Sequence, residues 1–347
     1  MKKYLLYFLA ICWARLLRRR APIFVTLCVT NRCNLRCAYC YEEYYDRQHA
    51  DVPLERLLAL VDELAAMGTR YISINGGEAL LRRDLEALVD KVRVYGMILH
   101  LSTNGLLIPN SVSLLRKIDS IAVSLDGIGA SNDRNRGEGS YAKIRAGIEA
   151  LRQARIPFHI HTVLTKNNKD AVDDMLAFAR ECDSQVQFSL LREEDSPDKT
   201  LGLGEQELKT LVQKILADKK AGAPVFFSAQ AYEAFLAWPL PTRQAVIRGK
   251  LPTGFNPVPC YVKQLFCHIE ANGYVYPCVV LVNKFKALNY LDVGFKKAWA
   301  ALAENDCLAC QNICCNDMNL ILSLSRHSIF NAFKIVQQRL WKRSGRP

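Results

Sequence analysis

Between Ile23 and Leu191 the sequence alternates between runs that read as strands and runs that read as amphipathic helices. No other feature limits the possible folds as much. The strand runs are 23–29, 71–78, 98–105, 120–127, 158–165 and 186–191, and the helical runs between them are 54–68, 83–96, 110–118, 140–155 and 171–182. Parallel strands need a long connection, and a crossover helix supplies it, so the pattern predicts an α/β chain with a parallel array. Eight such units close a barrel; six predict a partial (β/α)6 TIM-like barrel, open on one side. A further helical stretch, 205–219, follows it.

In arrays of this kind the chemistry sits at the C-terminal ends of the strands. There the sequence places Cys33, Cys37 and Cys40 after the first strand and Gly76-Gly77-Glu78 after the second. Ser102-Thr103-Asn104-Gly105 follows the third strand and Ser124-Leu125-Asp126-Gly127 the fourth. Taken singly, most of these have ordinary readings. Gly76-Gly77 is a β/α turn, Asn104-Gly105 a turn signal, and Ser124 or Asp126 a helix cap. His159 and His161 alternate on the fifth strand and read as a packed pair; Cys12, Cys28 and Cys182 read as core thiols. The three-cysteine loop stands apart. Its Cys-x3-Cys-x2-Cys spacing can hold zinc, with His49 as the near fourth ligand, or three irons of a four-iron cluster whose last iron stays open.

With Tyr39 just before its last cysteine, the loop resembles that of the radical S-adenosylmethionine (SAM) enzymes, and the resemblance runs over about residues 22–192. It implies that Cys33, Cys37 and Cys40 hold a [4Fe-4S] cluster and that SAM chelates the open iron. Gly76, Gly77 and Glu78 then meet the methionine amine, with Ala79 where the family usually has proline. Ser102 and Asn104 match the ribose side. Ser124 and Arg136 match the methionine carboxylate side, with Asp126 nearby. Glycines allow close backbone approach, and Glu78 can accept from an ammonium. The implied activity is reductive cleavage of SAM to a 5′-deoxyadenosyl radical, which takes hydrogen from a substrate. A flavodoxin- or ferredoxin-type donor and a reducing, cytoplasmic compartment go with it.

The chain has 13 cysteines, and they bunch at short gaps, which favours metal ligation over disulfides. The second group is Cys260, Cys267, Cys278, Cys307, Cys310, Cys314 and Cys315. Asn272-Gly273 within it predicts a hairpin with a type I′ turn. Cys260, Gly273 and Cys278 are spaced as in the SPASM or shorter twitch domains of peptide-modifying radical enzymes, whereas the closing part departs from them. This resemblance implies at least one auxiliary iron–sulfur cluster; a zinc ribbon is the alternative. The expected organisation is a basic helix at 1–20, the barrel at 21–222 and a linker at 223–256. A small cysteine-rich α+β domain at 257–322 and a basic helix at 323–347 complete it.

The net charge of +12 is carried by the ends. Residues 1–20 and 326–347 hold six basic residues each and no acid, so the body between is neutral. A nucleic-acid groove would draw on the body, so none is expected. Apolar runs beside those cations predict in-plane helices at an anionic membrane, on its inner face, although a helix packed on its own domain fits as well. Tyr4–Ala14 is too short to span a bilayer and lacks a cleavage site for a signal peptide. The expected substrate is a peptide or protein, with a membrane lipid or isoprenoid as the alternative. A non-catalytic iron–sulfur or zinc scaffold is the alternative of another class.

Overall fold

The computed structural model describes residues 2–40, 51–242 and 244–343. Six strands form the parallel array: β1 (Phe24–Cys28), β2 (Tyr71–Asn75), β3 (Ile98–Thr103), β4 (Ser120–Ser124), β5 (Phe158–Leu164) and β6 (Val186–Leu190). Each pairs in parallel with the next. Alternation decides the two faces. Val25, Leu27, Ile72, Ile74, Leu99 and Leu101 point outward into the main apolar core, where helices cover them. Thr26, Ser73, His100, Ser120 and His159 take the other face and line a polar lumen, while Phe24 on that face packs with Tyr71 and Phe266 at its base.

The helices follow the predicted runs with shorter ends. α1 (Lys2–Leu16) precedes β1; α2 (Leu54–Ala66), α3 (Leu85–Val94) and α4 (Val112–Leu115) connect the first four strands. α2 buries Leu57, Leu60, Val61 and Leu64, one stripe at helical spacing. α4 is a single turn, well short of the run 110–118. α5 (Ala130–Arg136) has no apolar period and was not legible as a helix; α6 (Ser140–Gln153) and α7 (Val172–Glu181) complete the array.

The stretch 223–256 is not an extended linker. After α8 (Glu205–Lys220) it forms α9 (Ala229–Leu236), whose Tyr232 is fully buried, and β7 (Val246–Arg248). Nor does the sheet stop at the barrel. β8 (Phe266–Ile269) pairs in parallel with β1, so Phe24 faces Phe266, and β9 (Tyr274–Tyr276) and β10 (Leu288–Asn289) extend it outward. The result is nine strands in the order β10-β9-β8-β1-β2-β3-β4-β5-β6. The β8–β9 turn has Gly273 at φ +92° with Asn272 outside the left-handed region, so it is not type I′, which needs both.

α10 (Tyr290–Val293), α11 (Phe295–Ala301), β11 (Cys307–Cys310), α12 (Ile313–Leu322) and α13 (Arg326–Arg343) close the chain, with β11 antiparallel to β7. α1 does pack on its own domain: Ile11 and Ala14 sit in a second apolar cluster with Phe266 and Leu281. Among the described residues, no helix is long and apolar enough to cross a membrane.

Candidate active site

The three-cysteine loop leaves the C-terminal end of β1 and is tied down on every side. Gly77 N donates to Thr30 O (3.0 Å) and Glu78 N to Arg32 O (2.8 Å), which fastens the loop to the end of β2. Asn104, after β3, donates to Asn34 Oδ1 (2.7 Å), and Ala38 N donates to Asn135 O (2.9 Å) of α5. A turn closed by Cys40 N to Cys37 O (3.0 Å) sets the last two cysteines.

Both glycines are required by space. A Cβ on Gly76, at φ +144°, would lie 2.7 Å from Thr30 O, and one on Gly77 would lie 2.2 Å from Arg32 O. The obstacle in each case is backbone, which cannot swing aside.

Cys33, Cys37 and Cys40 are free, partly exposed thiols. Burial pushes the Cys33 thiol up and Cys37 up to about 12, so a metal's own charge would have to draw off the protons. Tetrahedral zinc with Zn–S of about 2.3 Å brings its sulfurs within about 3.8 Å of one another. Among the described residues, the groups of three ligand atoms within 4.8 Å of each other reduce to Cys28, His268 and Glu270. The three loop thiols are thus spread wider than such a group, and their all-sulfur donor set suits a larger iron–sulfur cluster. His49, the zinc alternative, lies outside the described residues.

Two of the expected site residues are also bonded within the protein. Glu78 is held between the loops after β2 and β3. Its carboxylate is 1% exposed and accepts from Thr103 Oγ1 (2.9 and 3.0 Å), Asn104 N (2.7 Å) and Leu80 N (3.0 Å). Its work is to lock the β2 loop to the β3 loop, since a buried carboxylate needs such donors. Arg136 likewise is spent on the protein. Its Nε lies 2.7 Å from Asp126 Oδ2, and Nη2 reaches Asp126 Oδ1 (3.3 Å) and Tyr39 Oη (2.6 Å). Burial acts to lower the Arg136 pKa, but Asp126 and Tyr39 outweigh it and keep the guanidinium charged. Tyr39 Oη donates to Asp126 Oδ2 (2.7 Å), so this pair clamps the cysteine loop from the β4 side.

Ser102 and Ser124 stand half-buried at the tops of β3 and β4, as expected, and Asn104 beside them is 7% exposed. Below them the lumen carries groups the sequence reading undervalued. His161 Nε2 pairs with Ser189 Oγ (3.0 Å), His159 Nε2 with Gln187 Oε1 (3.1 Å) and His100 Nδ1 with Ser120 Oγ (3.0 Å). Burial lowers His161 to about 4 and His100 to about 3, and lowers His159 as well, so all three are neutral near pH 7. Cys28 is not a plain core thiol. Its Sγ lies 3.9 Å from His268 Nε2, which meets Glu270 Oε1 at 2.5 Å; these buried donors could grip a metal ion or a polar substrate group. Period-2 alternation on β3, β5 and β8 was the available signal for this ring.

At the opposite end of the strands lies the second cysteine group. Cys260, Cys278, Cys307, Cys310 and Cys315 gather in the apolar cluster with Ile11, Ile23 and Phe266. The Cys315 thiol donates to Cys278, which lowers the Cys278 pKa. The other two members of the expected set are Cys267 and Cys314, the second near enough for the Cys310 thiol to act on it. Cys267 points from β8 into the main core, as alternation requires, and Cys314 is exposed at the start of α12. Asn312 caps that helix by accepting from Cys315 N (2.9 Å), which turns Cys315 inward.

Comparison with known proteins bears on this arrangement. Residues 27–179 match the model of the radical SAM superfamily. Mycofactocin maturase MftC of Mycolicibacterium smegmatis is 30% identical over 292 residues, covering 80% of this chain and 70% of that protein. GTP 3',8-cyclase of Marinobacter nauticus is 34% identical over 183 residues, covering 50% of this chain and 54% of the cyclase. Streptococcus suis SuiB, solved bound to precursor peptide SuiA, superposes with a TM-score of 0.61 at 14% identity, over 84% of this chain and 67% of SuiB. At that identity the likeness speaks for the fold alone.

Proposed function

This chain belongs to the radical SAM superfamily, and on that premise we propose that it modifies a peptide by removing a hydrogen atom from it. When bound, a [4Fe-4S] cluster and SAM supply one-electron cleavage of the sulfonium and a carbon radical able to take that hydrogen. Cys33, Cys37 and Cys40 hold the cluster in this reading. Gly76 and Gly77 let the backbone approach SAM, and Ser102, Asn104 and Ser124 line its place. Glu78, Asp126 and Arg136 act as positioning residues: they fix the loops through the bonds described above and leave little free to touch the ligand. The neutral histidines give a lumen without histidine charge, which suits an uncharged side chain of the substrate and keeps water ordered or out.

The observation that supports a peptide is the extent of the match to the maturase. Its 80% coverage exceeds what β1–β6 and their helices can hold, whereas the match to the cyclase spans half of the chain. The thiols Cys260, Cys278, Cys307, Cys310 and Cys315 hold an auxiliary cluster in this proposal, and a flavodoxin- or ferredoxin-type protein donates the electron. The test is deuterium transfer. Reconstituted protein, SAM and reductant are mixed with a perdeuterated peptide pool or a perdeuterated lipid extract, and 5′-deoxyadenosine is weighed by mass spectrometry. Label from the peptide pool is expected; label from the lipid pool alone would overturn the peptide reading.

A further inference from the structure

α1 is apolar on both sides, which a helix on a water-facing surface has no reason to be. One side, with Tyr7, Ile11 and Ala14, packs on the protein. The opposite side presents Leu5, Leu9, Trp13 and Leu16 at helical spacing, 58%, 50%, 57% and 75% exposed, with Leu6 and Leu17 flanking. α13 adds Phe330, Phe333 and Trp341, each about half or more exposed. The fold brings the two helices together. The Tyr7 ring lies 5.6 Å from Tyr71, the first residue of β2, and the Arg339 charge acts on that same tyrosine. Lys3 pairs with Asp119 (2.6 Å), just before β4, and Arg339 reaches His159 (3.2 Å) near the start of β5. Both helices thus cover the N-terminal ends of the strands, the end opposite the three-cysteine loop.

We propose that this base docks on an anionic lipid bilayer, with α1 and α13 lying in the plane of the interface. Charge selects this occupant. The described segments forming the face, 2–20 and 326–343, hold eleven basic residues and no acid, so a second copy of the chain would set like charges against each other, whereas an anionic surface satisfies them. Arg18 and Arg19 are exposed at the end of α1, beside the apolar stripe, at the place where headgroups would lie. A cavity of about 830 Å³ opens next to α13, and Arg180, Lys219, Lys334 and Arg339 line it, against Asp183 and the paired Lys220 and Glu233. It offers room for a phosphate-bearing headgroup. The geometry has a consequence for the substrate: the cysteine loop opens away from the bilayer, toward the aqueous side.

The test is co-sedimentation of the full, cluster-loaded chain with vesicles of phosphatidylcholine alone or with one quarter phosphatidylglycerol. Binding to the anionic vesicles is expected to exceed that to the neutral ones at least tenfold at low salt and to fall with salt. Leu5→Ser/Leu9→Ser/Trp13→Ser should lower it at least tenfold, and Arg18→Glu/Arg19→Glu should remove the lipid preference. Iron content and 5′-deoxyadenosine release unchanged in the second variant would show that folding is intact. No preference for anionic vesicles, or binding by both variants equal to that of the unchanged chain, overturns the proposal. So does a dimer in light scattering that the serine variant dissociates, since a second copy then covers the face. None of these outcomes bears on the peptide reading.

Discussion

The two cysteine groups offer the same thiol chemistry in opposite settings. At the top of the barrel three thiols stand partly exposed on a loop held by hydrogen bonds to β2, β3 and α5. At the base five thiols gather in apolar packing with Ile11, Ile23 and Phe266. β1 runs from one to the other, Phe24 at the base and Cys28 near the top, four steps of about 3.3 Å or roughly 13 Å of strand. A site meant to exchange a ligand needs access and a missing donor, and the top has both. A site meant to hold a charge-storing group needs enclosure and enough donors, and the base has those.

The largest expected effect separates the two directly. Cys33→Ala/Cys37→Ala/Cys40→Ala should abolish 5′-deoxyadenosine release while keeping the iron bound at the base. Cys278→Ala/Cys315→Ala should lose that base iron and the modified product, yet still cleave SAM. Iron counting with product analysis checks both. SAM cleavage that survives the first change would reverse the roles given to the two ends.

Next in size is the clamp on the top loop. Asp126→Asn leaves the Arg136 guanidinium buried without its counter-charge, and breaking such a pair costs about 3–5 kcal/mol. Among the described residues the other hydrogen-bond partners of Asp126 are Tyr39, Asn132, Val163 and Asn168, and the base cysteines are not among them. Thermal unfolding should therefore shift by several degrees, and the variant should lose iron from the top group in preference to the base. Equal loss from both would mean that the clamp supports the fold as a whole and not the loop.

Legibility in the sequence also differed between the two ends. The barrel was readable because each β/α unit carries its own period and depends little on distant partners; β1 to β6 fell within the expected runs. The top site was readable as a set of strand ends, since topology alone brings those together. What each residue touches was not. Glu78 and Arg136 were read only by their place at the strand ends, and their protein partners Thr103, Asn104, Asp126 and Tyr39, up to 97 residues away, were not visible. At the base the limits were greater. β8 joins β1 across more than 230 residues, so nothing local showed that 223–256 would fold or that the sheet would continue. Cys267 was indistinguishable from its neighbours until pairing fixed which way it points.

The comparison can be carried into the lumen, where His161 stands beneath the top site, close enough to sense both Arg136 and Asp126. Burial lowers its pKa to about 4, against about 6.5 in an unfolded chain. Between those values the unfolded state binds a proton that the folded state refuses, so stability falls as pH falls through this window and is unaffected above it. From pH 7 to pH 5 this one group should cost about 2 kcal/mol. His161→Asn keeps a polar partner for Ser189 and cannot take up the proton. The variant should be the less stable chain at pH 7 and should close much of that gap by pH 5, as read from melting temperatures of the cluster-loaded proteins. A gap that stays constant with pH would mean that His161 is already open to water, and that the lumen beneath the top site is less shielded than the thiol pocket at the base.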